Sequence, residues 1–276
     1  MGEYLSIDET ALSKGELYTI ITNKDAKGKK GAIVAIMAGT KVEPIIEQLL
    51  KIPSKTRNKV KEITLDMANS MKTIARVCFP KATQVTDRFH VQKLALEALQ
   101  DIRIKHRWEA IDRENNSIKL AKQKKIAFIP ETFENGDTTK QLLARSRYLL
   151  YKAPADWTQN QYFRCKILFQ QYPDIKKAFD LVQALRNIFN HAKSIKIAYT
   201  KLAQWYNQVE KSGFKAFNTI ANTIHINYRT ILNYFNNRST NAAAESFNAK
   251  IKAFRAQFRG VKNIEFFLFR LTNIFA

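Results

Sequence analysis

Apolar and polar side chains alternate in Tyr4-Leu5-Ser6-Ile7-Asp8, the period-two signature of a strand with one buried face. Two further strand-like runs follow, Glu16 to Thr22 and Ala32 to Met37, separated by a lysine- and glycine-rich turn at 24–31. Together they predict a three-stranded meander. From Val42 to Leu50 the spacing changes to that of a helix, with Val42, Ile45, Ile46, Leu49 and Leu50 on one side and a stop near Pro53. Glu62 to Asp66 then predicts a strand, Met67 to Val77 a helix, and Thr83 to Asp87 a strand that enters a helix near Phe89. The order β-β-β-α-β-α-β-α is that of a ribonuclease-H-like fold, an α/β architecture with a mixed five-stranded sheet in which strands one and four are neighbours.

Strands then cease. From about Phe89 to Phe235 the pattern is helical, broken by a charged tract at 110–125 and by a loop holding Pro130 and Asn135-Gly136-Asp137, and it predicts a large all-α insertion. Trp108, Trp157 and Trp205 all fall there and are expected as packing anchors. A final amphipathic helix carries Phe247, Ile251, Phe254 and Phe258 on one face. The expected organisation is a core over 1–88, the insertion over 89–238, and a helix and tail over 239–276 that complete the core.

Charge narrows the partner. Forty-six Lys and Arg against 24 Asp and Glu leave a net +22, which points to a polyanion; a ribosome-associated protein or a merely basic surface would satisfy the charge alone equally well. Cys78 and Cys165 sit in apolar or aromatic runs and are expected as free buried thiols, with neither a disulfide framework nor a zinc ribbon. The first thirty residues are polar rather than an apolar signal, and no apolar run approaches the roughly 18 residues of a membrane span, so a soluble, cytoplasmic protein is expected.

Against this basic background a few acids stand out. Asp8 lies at the first strand, and Asp66 and Asp87 end the fourth and fifth, so the topology brings Asp8 and Asp66 together. Phosphoryl transfer on DNA needs charge neutralisation at the attacking and leaving oxygens, which carboxylate-bridged Mg²⁺ supplies. An aspartate at a strand-to-helix junction is also a common helix N-cap, a reading that suits Asp87 well and is open for Asp66. Glu245 lies about 160° round the helical wheel from Phe247, on a basic face with Asn248, Lys252, Arg255 and Arg259. Metal ligand and surface ion pair are evenly balanced there. Among the four histidines, only His90, three residues after Asp87, is near these acids.

The chain from Ser6 to Ala276 resembles the DDE transposases of the ISL-three insertion-sequence group. The resemblance is carried by Ser6-Ile7-Asp8-Glu9, Leu65-Asp66-Met67, Thr86-Asp87-Arg88-Phe89-His90-Val91, and Arg238-Ser239-Thr240-Asn241-Ala242 leading to Glu245, Asn248, Ile251 and Lys252. Gly260 to Arg270 resembles the family's closing segment, whereas Ser246 replaces the glycine usual after the glutamate. The resemblance implies metal ligands Asp8, Asp66 and Glu245, with Mg²⁺ or Mn²⁺ bound, and Asp87, Arg88 and His90 in the surround. It implies cleavage at element ends followed by strand transfer into target double-stranded DNA. Asn248, Lys252, Arg255 and Arg259 are expected to hold DNA phosphates, and the insertion to hold DNA or a second protomer of a homodimer. Family members commonly carry a zinc-binding and helix-turn-helix module before the first aspartate. Only seven residues precede Asp8, so a fragment or a separately encoded N-terminal DNA-reading protein is expected. A nucleoid-associated bacterial enzyme fits these expectations; a nuclease or resolvase that cuts without joining, or a non-catalytic DNA-binding remnant, are the alternatives.

Overall fold

The computed structural model describes residues 1–13, 16–258 and 263–276. Five strands, β1 (Tyr4–Ser13), β2 (Glu16–Asn23), β3 (Ile33–Ala38), β4 (Glu62–Leu65) and β5 (Thr83–Thr86), form one mixed sheet in the order β3-β2-β1-β4-β5. The first three pair antiparallel, while β4 runs parallel to both β1 and β5. The expected adjacency of strands one and four is therefore present. Strand β1 is longer than its alternating segment indicated, because Thr10 and Ala11 continue the pairing to β2 before a register shift.

The pleat sends alternate residues to opposite faces. On one face Leu5, Ile7, Ile21, Ile63 and Leu65 pack with Ile45 and Leu49 of α1 (Val42–Leu50) and with Met71, Ile74, Ala75 and Cys78 of α3 (Asn69–Cys78). A short helix α2 (Ser54–Arg57) lies between α1 and β4 in the chain. On the other face Tyr18, Ile20 and Ile33 pack with Phe247 and Ile251 of α11 (Ala242–Gln257) and with Phe267 and Leu271 of α12 (Ile264–Phe275). The predicted aromatic stripe is thus the side of α11 that faces the sheet.

The chain divides into two compact units, residues 1–90 with 224–276, and residues 91–223. This moves α10 (Tyr228–Asn237) from the predicted insertion to the sheet. Asn233 Nδ2 donates to the Gln84 carbonyl at 2.9 Å, and the Thr230 and Thr86 hydroxyls meet at 2.7 Å. The physical reason is that β5 is an edge strand, whose open main-chain groups a polar helix face can satisfy.

The second unit is helical. Helix α4 (Arg88–Gln123), ~54 Å long at 1.5 Å per residue, leads into it, and α5 (Thr139–Arg145), α6 (Gln159–Gln171), α7 (Pro173–His191) and α8 (Ile195–Ser212) follow, with α9 (Lys215–Ile226) returning to the first unit. The charged tract does not break α4 before Gln123. Lys, Arg, Glu and Gln are good helix formers, and a solvent-facing helix needs no apolar stripe along its whole length. Trp205 and Trp157 anchor packing as expected, each donating its indole N–H at 2.9 Å, to Leu181 O and Leu149 O respectively, whereas Trp108 is 61% exposed. Both cysteines are free and buried. Among the described residues no helix is long and apolar enough to cross a membrane.

The loop before α5 is organised by Asp137, a fully buried carboxylate that accepts from Arg164 Nε at 2.6 Å and also pairs with Arg145. Those two guanidiniums hold its pKa below the usual carboxylate value despite burial. Its ionised form therefore contributes stability that is fully present above the unfolded-state value and is lost as pH falls through the lower folded one. Asp137→Asn is expected to destabilise the protein by about 3 kcal/mol, because Arg164 and Arg145 lose the buried carboxylate charge that they pair with. It should also flatten the acid limb of the stability profile, measured by urea titration between about pH 3 and pH 6.

Candidate active site

Parallel register places the candidate acids. Ser6 pairs with Thr64, and Thr64 with Val85. Two residues further along each strand direction stand Asp8, Asp66 and Asp87. Asp8, within β1, projects from the face that carries α11, and Asp66 and Asp87 follow directly on the last residues of β4 and β5, on strands spaced ~4.8 Å apart. The loops fix them there. Asp66 Oδ1 accepts from Ala68 N at 2.6 Å, Asp87 N donates to Leu65 O at 2.9 Å, and Asp87 Oδ1 accepts from Phe89 N at 3.3 Å, a cap on the first turn of α4. Glu9 follows Asp8 on the opposite side of the pleat, and Asp8 Oδ1 accepts its backbone N–H at 2.9 Å.

Beneath the acids the sheet face is polar. Lys24 Nζ donates to Glu62 Oε1 at 3.1 Å and to Thr64 Oγ1 at 2.6 Å, while Asn237 Nδ2 donates to Glu62 Oε2 at 3.2 Å. A buried ion pair with satisfied oxygens rigidifies the strands that carry Asp8 and Asp66.

Glu245 is exposed in the first turn of α11, the end of a helix where a carboxylate is favoured by the helix dipole. It senses the strand-end acids nonetheless. Burial raises its pKa first, followed by repulsion from Asp87 and Asp8 and against the attraction of His90. Asp8 is raised mainly by burial, with Asp66 and Asp87 adding repulsion, while the Glu9 amide and His90 oppose. Asp87, 1% exposed, is raised by burial and restrained by the backbone N–H groups of Phe89 and Asn241 and by His90 and Arg88. Four acids and one imidazole thus share one field.

The remaining predicted residues divide. Asn248 is not on an outward basic face: it is 7% exposed and its Nδ2 donates to Asp8 Oδ2 at 2.6 Å. The wheel angle put it near Lys252, but α11 lies close enough to β1 for that flank to be covered. Lys252 is exposed as expected. Arg255 is half-buried with its guanidinium 5.1 Å above the Phe267 ring, and Arg259 lies outside the described residues. Arg88 turns to α10, donating to Tyr234 Oη at 3.2 Å and covering its ring. Lys72 of α3 went unnoticed in the sequence. It lies within the field of Asp66, donates to Asn227 Oδ1, and has its pKa lowered by burial. Nothing in its helical spacing distinguishes it from a surface lysine.

Carboxylates on adjacent strand ends are the donor type that a hard divalent cation takes. Asp87 Oδ2 is buried with no hydrogen-bond partner, an acceptor left over for a cation or a donor. In chemistry the set therefore fits such an ion, although among the described residues no three His, Cys, Asp or Glu side chains stand close enough to hold one as they are.

A family model described as Transposase, for the DDE type of the ISL-three group, matches residues 5–271. The transposase for insertion sequence element IS1001 of Bordetella parapertussis is 24% identical over 276 residues, covering 99% of this chain and 61% of the relative. The chain thus spans about three-fifths of that protein's length. With the match running from β1 to α12, the chain belongs to the DDE transposases of the ISL-three group.

Proposed function

We propose that this chain is the catalytic part of an insertion-sequence transposase, cutting DNA at the element's ends and joining the freed ends to target DNA on a ribonuclease-H-like core. The observation that carries the reading is the register of Asp8 and Asp66 on neighbouring parallel strands, with Glu245 on the helix packed over the same face. Asp8, Asp66 and Glu245 would hold Mg²⁺, for which Mn²⁺ can substitute. When bound, the ion supplies charge neutralisation at the reacting phosphate and activation of the attacking oxygen.

The chain's own residues do the rest. Asp8 and Asp66 are fixed by backbone amides, so they meet the ion with little reorganisation. Glu245, exposed in the first turn of α11, would complete the set of carboxylates that holds the ion. Exposed Lys252, seven residues after Glu245, takes a DNA phosphate beside the acids. Asp87 serves chiefly as a cap, with His90 tempering the negative field. Duplex DNA is the partner, the helical unit holding DNA or a second protomer of a homodimer. The setting is the bacterial cytoplasm at the nucleoid.

Asp8→Asn, Asp66→Asn and Glu245→Gln should each reduce Mg²⁺-dependent cleavage and strand transfer below detection on precut and uncut end duplexes, with folding retained by circular dichroism. Activity near wild type in any one removes that residue from the site, and cutting without joining by the wild type would make the protein a nuclease.

The acids should also oppose folding when no metal is present. A folded pKa above the unfolded one means that the cost appears as pH rises through the unfolded value and is complete above the folded value. At pH 7.5 Glu245→Gln is expected to raise the metal-free Tm by about 1–2 °C, while Mg²⁺ raises the Tm of the wild type far more than that of the variant. An unchanged wild-type Tm across millimolar Mg²⁺ would count against the site.

Binding to duplex DNA should weaken steeply with salt and show little preference for end sequences in the isolated chain. Lys252→Ala should lower the slope of log K against log salt by roughly one. Titrations of end-containing and scrambled duplexes at several salt concentrations measure both.

A further inference from the structure

Asn248 holds the position in the molecule that the proposed chemistry leaves unexplained. It is a neutral amide, 7% exposed, set among carboxylates and committed to one of them: its Nδ2 donates to Asp8 Oδ2 at 2.6 Å, and its Oδ1 is buried without a partner. Burying an amide with one end unsatisfied costs on the order of 1–3 kcal/mol. An apolar side chain of the same shape would avoid that cost, and it would pack as well beside Phe247 and Ile251. What the amide offers and an apolar side chain does not is a donor to Asp8.

Its place on α11 suggests what that donor is for. The N-cap residue of that helix, Asn241, presents its backbone N–H to Asp87, and Asn248 presents its side chain to Asp8. Seven residues of helix rise ~10.5 Å. From β5 to β1 is two strand spacings, ~9.6 Å. The first two turns of α11 thus reach from Asp87 to Asp8, tethered at Asp8 by Asn248, and Glu245 stands four residues after Asn241 and three before Asn248.

We infer that Asn248 is the positioning residue of the active site: its amide holds the Asp8 carboxylate in one rotamer and ties to it the helix that carries Glu245. The inference rests on the active-site reading above. Asp8 then has one oxygen on a backbone amide of its own strand and the other on α11, so the Asp8 carboxylate and the backbone of the helix that carries Glu245 hold one another in place. A donor is required here, and a neutral one. A lysine or arginine would neutralise the acid that must take the metal, and an aspartate would add repulsion to a crowded field.

The test is Mn²⁺ binding by calorimetry to the full chain, wild type against Asn248→Leu, which keeps the shape and removes the donor, and Asn248→Ala. Both variants should bind Mn²⁺ roughly 10- to 100-fold more weakly, as removal of an outer-shell partner does. In wild type the Asn248 side-chain amide resonances, assigned by their loss in the variants, should move on Mg²⁺ titration with the midpoint of Mg²⁺ binding measured by calorimetry on the same sample. A lowered Tm with unchanged Mn²⁺ affinity would overturn the inference and leave Asn248 a packing residue. Should both variants fail to fold, amide resonances, assigned through the backbone, that stay fixed through saturation would overturn it equally. A wild type that binds no Mn²⁺, or an Asp8→Asn control that binds as tightly as wild type, would instead sink the active-site reading itself.

Discussion

The cost of burying carboxylates beside one another, Asp8 within β1 and Asp66 and Asp87 just past β4 and β5, is the constraint around which the rest of this unit is arranged. Asp8, Asp66 and Asp87 come near one another because β4 pairs in parallel with both β1 and β5; the order of the strands is enough to bring them together. Each acid has its own restraint. Asp66 leans on the Ala68 amide, Asp87 on that of Phe89, and Asp8 on Glu9 and Asn248. These donors offset part of the desolvation that raises the pKa values of Asp8 and Asp87. A net +22 over the chain adds a favourable background, but the shielding that fixes geometry is supplied by short-range hydrogen bonds, since distant surface charges are screened beyond about 8–10 Å.

The same geometry explains why α11 must be packed as firmly as it is. Phe247 and Ile251 are buried against Tyr18 and Ile20, and these apolar residues lie on the same side of the sheet as Asp8, since Asp8 pairs directly with Ile20. One face of the sheet thus carries both a hydrophobic seat for the helix and the acids the helix approaches. Large-to-small change at Ile251 would loosen the seat and with it the approach of Glu245, so stability and site geometry are not separable here.

What could be foreseen from the sequence follows from how far each signal reaches. The adjacency of the strands that lead to Asp8 and Asp66 was legible because both acids end alternating runs whose order along the chain points to neighbouring strands. Asn248 was misplaced because a helical wheel gives an angle around an axis and says nothing of what stands above each flank. Sixty degrees from Glu245, it is far enough round to meet β1, while Lys252, closer in angle, remains exposed. The helix α10 was assigned away from the sheet because its role, covering the open edge of β5 through Asn233 and Thr230, is polar and leaves no apolar periodicity that points to a strand. The unbroken course of α4 through its charged tract shows the converse: absence of an apolar stripe marks exposure, not the end of a helix.

A site assembled from repelling acids also has to remain adaptable, and the distribution of burial shows where that freedom lies. Asp87 is almost wholly enclosed, Asp8 and Asp66 are half-buried, and Glu245 is exposed. The strand-borne acids are thus the fixed part and the helix-borne one the part that can move. A carboxylate held in place by backbone amides can accept a cation with little loss of entropy, whereas one on an exposed helix turn keeps its rotamers until the cation arrives. The amide of Asn248 joins these two regimes, because it is rooted in the helix that carries Glu245 and bonded to the strand that carries Asp8. An exposed glutamate tethered one turn away from a fixed aspartate can respond to the charge between them, and yet it stays within the reach that one helix turn allows.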